Sequence, residues 1–150
     1  MPDLVVSLGM SDTAKPYVCA AFVCEKVLRE QDDVPSAIRI VDRFTVNEAA
    51  PPGMTGGVAF TAFVILKSGA VTGRHPVHLR LNYPNGEQKD LPGTDAEFKG
   101  DEHGISYTVQ IMVEAKQYGL YWFDVVWEGK EVLTRIPFRL IQGLQETQAN

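Results

Sequence analysis

The sequence predicts an all-β domain: a sandwich or barrel of about seven to eight antiparallel strands with at most one short helix. Two observations carry this. Apolar and polar residues alternate with period two through several segments, which is the signature of half-buried strands. Turn signals rich in Pro, Gly and Asn separate those segments at short intervals.

In chain order, residues 17–23 are β-formers and alanines, nearly all apolar, and read as a fully buried strand or the start of a helix, which periodicity alone does not decide; strand is the preferred reading. Residues 25–30 (Glu-Lys-Val-Leu-Arg-Glu) have helix propensity but lack a preferred N-cap and are short. They read as a continuation of the strand, with one helical turn as the open alternative. Residues 36–46 read as one strand with Ile38, Ile40, Phe44 and Val46 on one side and Asp42 breaking that face. Residues 47–57 hold Pro51-Pro52-Gly53 and Gly56-Gly57, so this stretch is a long loop, either functional or a connection across the sandwich. Residues 60–67 are apolar on both faces, as a central strand would be.

Strict alternation over residues 77–83 turns His78, Arg80 and Asn82 outward. The strand ends at Pro84-Asn85-Gly86, where Asn-Gly is expected to supply the positive φ angles of a tight hairpin. Residues 90–104 read as a polar loop with a short strand near Phe98. Residues 105–113 alternate again, and residues 120–127 put Tyr121, Phe123, Val125 and Trp127 on one face. A turn at Glu128-Gly129-Lys130 leads to a last strand over 132–141. There Pro137 implies an edge or a bulge, because proline donates nothing to a ladder. Residues 142–150 are polar and are expected to form a flexible tail.

Length and composition suit a single domain over 1–150: 150 residues, 45% hydrophobic and 22% charged. The net charge of −5, with no basic run, argues against nucleic acid and against an anionic membrane surface. No stretch approaches the ~20 apolar residues of a membrane span, and no basic segment precedes the first apolar patch as in a secretory leader. Cys19 and Cys24, five apart on a strand, face opposite ways; they read as small buried hydrophobes of a cytoplasmic protein.

The chemistry searched for does not assemble. His75 and His78 stand three apart on a strand, so they face opposite ways, and His103 lies in a turn; the three read as exposed histidines and not as a zinc site. Calcium is the better-supported metal, with Asp95, Glu97, Asp101 and Glu102 as candidate oxygen ligands in one loop, although such residues are commonly just solvated. Ser106 lacks the second glycine and the strand-to-helix turn of a nucleophile elbow. The glycines at 53–57 have no Lys-Ser/Thr after them and make no phosphate loop. No catalytic residue and no cofactor is assigned.

The segment Gly119-Leu120-Tyr121-Trp122-Phe123-Asp124-Val125 resembles the Gly-x-Tyr-x-Phe-x-Val strand near the end of immunoglobulin-like modules. With residues 17–46 and 81–86, the layout is similar to small uncharacterised bacterial immunoglobulin-like β-sandwich proteins, a domain of unknown function. The resemblance implies an immunoglobulin-like antiparallel sandwich and carries no active-site residue with it. The expected role is a non-enzymatic interaction or scaffolding module. It would meet a protein partner, or a second copy, through an edge strand or through Trp122, Tyr118 and Met54. The alternative is a ligand- or calcium-binding sandwich that uses the acidic 95–102 loop.

Overall fold

The computed structural model describes residues 14–46 and 56–143. Every regular element among them is a strand. In one sheet β2 (Pro35–Ile40), β1 (Tyr17–Arg29), β4 (Gly57–Lys67) and β8 (Gly104–Glu114) lie side by side in that order. The other sheet runs β3 (Arg43–Val46), β10 (Glu131–Gln142), β9 (Gly119–Trp127), β5 (Thr72–Asn82) and β6 (Gln88–Asp90), with β7 (Thr94–Lys99) also paired to β5. All ladders are antiparallel except β3 on β10.

Period-two patterning builds the core between the sheets. Phe60, Ala62, Val64 and Leu66 of β4 face Tyr121, Phe123 and Val125 of β9, with Leu79 and Leu81 of β5 and Ile136, Phe138 and Leu140 of β10. Phe138 stacks on Tyr121 at 5.0 Å and on Phe123 at 4.9 Å, and meets Phe60 of the opposite sheet at 5.1 Å. Aromatic pairs at such spacings bury large areas and add a geometric preference of their own.

The chain changes sheet between β2 and β3, between β3 and β4, between β4 and β5, between β7 and β8, and between β8 and β9. The order β1-β4-β8 facing β10-β9-β5 makes this an immunoglobulin-like sandwich. Tyr121 adds a local hallmark. Its ring is fully buried, and its hydroxyl donates to the Gln117 carbonyl, 2.6 Å away, at the corner between β8 and β9.

Several expectations change. Residues 25–30 are strand as far as Arg29, without a helical turn. Residues 36–46 are two strands in different sheets, because the chain crosses at Val41-Asp42; Ile38 and Ile40 are exposed while Phe44 and Val46 enter the core. At Pro84-Asn85-Gly86 only Gly86 has positive φ (93°), and its N–H donates to the Tyr83 carbonyl. That is a three-residue loop ending in a bulge glycine, not a two-residue Asn-Gly turn. The two-residue turn is instead Glu128-Gly129, with φ of 52° and 70°. The 90–104 stretch holds the end of β6, all of β7 and the start of β8.

β6 and β7 lie in succession along the same edge of β5. Gly93, between them, must be glycine: a Cβ there would sit 2.8 Å from the Val77 carbonyl oxygen. Pro137 stands before the start of β3. The Arg139 N–H donates to Asp42, so two residues earlier the missing N–H of Pro137 would point the same way, past the start of β3. The expected bulge also occurs in this strand, at Leu133. Cys24 is buried as expected, but Cys19 is exposed. The chain stays ordered in the ladder to Gln142, and Gly143 donates to Val46; of the expected tail, 144–150 lie outside the described residues, as does most of the 47–57 loop.

β1 does not stay flat. Its pairing with β4 ends at Cys24 opposite Thr61. Continued straight, Arg29 would arrive beside residue 56, about 30 Å from Ser106 at ~3.3 Å per residue. Yet Arg29 Nη2 donates to Ser106 Oγ at 3.3 Å. The far half of β1, with β2 paired to it, therefore folds back across the outer face of β4 and β8.

Candidate interaction surface

The four candidate calcium ligands do not share a loop. Asp95 and Glu97 are exposed side chains on β7, while Asp101 and Glu102 occupy the following turn with φ of 52° and 59°. That turn is pinned to the β4–β5 connection: the Ser68 N–H and hydroxyl both donate to the His103 carbonyl at 2.9 Å. Glu102 accepts a hydrogen bond from the Tyr17 hydroxyl. Among the described residues no group of three or more His, Cys, Asp or Glu side chains converges as a metal site.

The histidines differ from the exposed trio expected. His75 is half-buried against Trp127, ring centroids 4.7 Å apart. Its Nδ1 lies 2.6 Å from Glu128 and its Nε2 2.8 Å from the Thr72 carbonyl, so both ring nitrogens face acceptors. Burial works against the charged ring, but the bonds to Thr72 and Glu128 and the Glu128 charge outweigh it and raise the His75 pKa. His78 faces the other way and meets Asp90 at 3.1 Å. His103 is exposed in its turn.

Trp122 does lie on the face opposite Tyr121 and Phe123, but the protein's own charges occupy it. The Arg135 guanidinium lies 4.5 Å over its ring and donates through Nε to Asp124 at 2.8 Å. One strand further on, Arg80 donates to Asp90 at 2.7 Å, and this bond lowers the Asp90 pKa despite an opposing desolvation effect. The outer face of this sheet is thus an ion-paired surface. Tyr118 is exposed at the β8–β9 corner, Trp127 belongs to the core, and Met54 lies outside the described residues.

The sheet edges separate more sharply. An exposed edge is a row of unpaired N–H and C=O groups, and proteins blunt such rows with charge, proline, bulges or brevity. β2 begins at Pro35 and carries Arg39 in left-handed conformation (φ 54°), ion-paired to Glu25 at 2.8 Å. β3 has four residues. The β6/β7 edge is broken at Leu91-Pro92-Gly93. β8 has none of these devices: its eleven residues contain no Pro, Lys or Arg, and its only charge is Glu114 at the end.

The phase of the ladder follows from its ends. Ser68 donates to His103, and Ala115 donates to Gly56. Odd-numbered residues of β8 therefore turn their backbone groups toward β4, and Gly104, Ser106, Thr108, Gln110, Met112 and Glu114 turn theirs outward. Among the described residues the one backbone bond to those outward groups is at the strand's end, where the Lys116 N–H donates to the Glu114 carbonyl at 2.9 Å. β7 packs near β8 from the facing sheet, and Tyr107 donates to the Pro92 carbonyl at 3.1 Å, without strand pairing between the two. Met112, on the outer face, is 71% exposed. Above the middle of β8 the folded-back arm leaves a cleft of about 430 Å³ between Lys26, Val27 and Arg29 on one side and Thr61, Thr108 and Gln110 on the other.

Sequence reasoning identified this strand and its inner face but not its position at an edge. Its lack of proline and basic residues is shared by interior β9, so composition alone does not mark the edge.

No helix among the described residues is long and apolar enough to cross a membrane. No protein-family model matches the chain, and no curated protein matches it in sequence. Solved structures do match in fold. A β-glucosidase from Listeria innocua aligns over 85% of this chain at 8% identity with a TM-score of 0.52. The Pseudomonas fluorescens alkylpurine DNA glycosylase AlkC, bound to DNA containing an abasic site analogue, aligns over 91% at 14% identity with a TM-score of 0.50. The chain spans 16% and 33% of the length of those two proteins. An immunoglobulin-like protein from Pseudomonas aeruginosa aligns over 85% of this chain and 98% of its own at 14% identity, with a TM-score of 0.41.

Proposed function

We propose that the chain is a non-enzymatic interaction module that takes up a partner by strand addition at the free edge of β8. One observation carries the reading: among the described residues, of the sheet edges only that of β8 is long, continuous and without a blunting device. Strand addition draws its affinity from main-chain hydrogen bonds and its selectivity from alternate side chains, here Thr108, Gln110 and Met112 on one face. The unpaired thiols of Cys19 and Cys24 fit a reducing compartment such as the cytoplasm.

The test is Gln110→Pro. The Gln110 N–H points away from β4, so proline removes an edge donor while leaving the internal ladder intact. The immobilised wild-type chain is expected to retain a protein, a second copy included, that the proline variant does not. Identical retention by both chains refutes docking at this edge.

A further inference from the structure

We propose that the occupant of this edge is a second copy of the chain, with β8 paired antiparallel to β8 about a two-fold axis at Val109. The inference rests on the strand-addition reading above and names its partner.

The strand is complementary to itself in this register. The outward backbone groups fall opposite one another as Thr108 with the second copy's Gln110, Ser106 with its Met112, and Gly104 with its Glu114. That register uses the whole strand and makes about ten backbone hydrogen bonds, two per facing pair except at Glu114, whose carbonyl already accepts from Lys116. The side chains that point toward the sandwich interior match apolar with apolar: Val109 with itself, Tyr107 with Ile111, and Ile105 with Val113.

Charge selects the same alignment. Lys67 Nζ lies over Gly104, 3.1 Å from where a Cβ on that glycine would be. Glu114 of the second copy, arriving opposite Gly104, comes up beside this ammonium, and the two-fold axis makes the contact twice. Among the described residues of its own chain Glu114 pairs only with exposed Lys116, at 3.2 Å. Moving the axis to Thr108 or Gln110 shortens the overlap and withdraws Glu114 from Lys67. The folded-back arm meets Ser106 through its hydroxyl, over the face of the sheet, and leaves the backbone groups of that residue unbonded. The product is one continuous sheet in which neither β8 edge remains free.

The experiment is light scattering with size exclusion on the full chain up to about 100 µM, a range that detects dissociation constants in the micromolar region. The wild type is expected to form a dimer, and Gln110→Pro a monomer whose urea midpoint equals that of the wild type at concentrations low enough to dissociate the dimer. Two double variants test the register and guard against misfolding. Thr108→Lys with Gln110→Lys, and Thr108→Glu with Gln110→Glu, place like charges opposite each other and are each expected to be monomeric. Mixed in equal amounts they are expected to form a heterodimer. A wild type that stays monomeric, a dimer that survives Gln110→Pro, or charge variants that fail to pair would overturn the proposal. A monomeric wild type that still retains another protein lost in Gln110→Pro defeats self-pairing alone and leaves the interaction reading standing.

Discussion

His75 makes stability depend on pH in a predictable direction. Its imidazole sits between Glu128 at 2.6 Å and the Thr72 carbonyl at 2.8 Å. A neutral ring carries one N–H and can satisfy only one of these acceptors; the charged ring satisfies both. The folded-state pKa therefore lies above the ordinary 6.5, although burial pulls against it. The stabilisation is fully present below that ordinary value and is lost as pH rises through the raised one. Hydrogen bonds to charged groups contribute about 1.5–3 kcal/mol when sheltered. Here the His75 side chain is 26% exposed and that of Glu128 is 45% exposed, so solvent screening reduces the pair to about 1 kcal/mol. The perturbation is Glu128→Gln, which keeps the turn and removes the charge. Urea midpoints of wild type and variant at pH 5.5 and pH 8.5 form the assay. The wild-type advantage should be about 1 kcal/mol at the lower pH and should shrink at the higher one. An advantage that is constant or grows with pH would refute the assignment of a charged, doubly bonded His75.

The other predictions concern the corner, the ion-paired face and the acidic residues. Tyr121→Phe leaves the Gln117 carbonyl without its 2.6 Å donor and should cost about 1–3 kcal/mol by urea denaturation, with the core otherwise unchanged. Arg135→Leu should destabilise more than Arg135→Leu combined with Asp124→Leu, because the single change strands a nearly buried carboxylate; the comparison is a double-mutant cycle. Millimolar calcium should leave the thermal midpoint unchanged, because Asp95 and Glu97 project from a strand and Asp101 and Glu102 from a separate turn; a calcium-dependent rise would restore the acidic residues as a site.

The parts of the fold that could be read from sequence are those where one face alone is buried. In β10 the buried Ile136, Phe138 and Leu140 alternate with the exposed Arg135, Pro137, Arg139 and Ile141, and the period gives strand and inward face together. Ile38, Ile40, Phe44 and Val46 show where that reasoning stops. Their shared spacing implied one strand, but a crossing at Val41-Asp42 divides them between sheets, and periodicity contains no information about which sheet a strand joins. The acidic region failed for a related reason. Asp95 and Glu97 look like loop residues by composition, whereas the buried Ala96 and Phe98 between them give β7 its alternation.

Edge position has the same standing as sheet membership. Pro137 suggested an edge by its chemistry, and its missing N–H does point where no strand pairs among the described residues; yet β10 lies between β9 and β3, and the proline is accommodated before the start of β3. β8 gave no such sign, because what distinguishes it is the absence of a device that other edges carry. Such an absence acquires meaning only once the ladder shows which N–H groups face outward. Interior β9 also lacks prolines and basic residues, and there it needs no protection. On β8 the same composition leaves a continuous row of donors and acceptors whose side chains match a copy of themselves. The omission costs nothing if a partner strand covers that row, and exposes the protein to disordered edge-to-edge aggregation if none does.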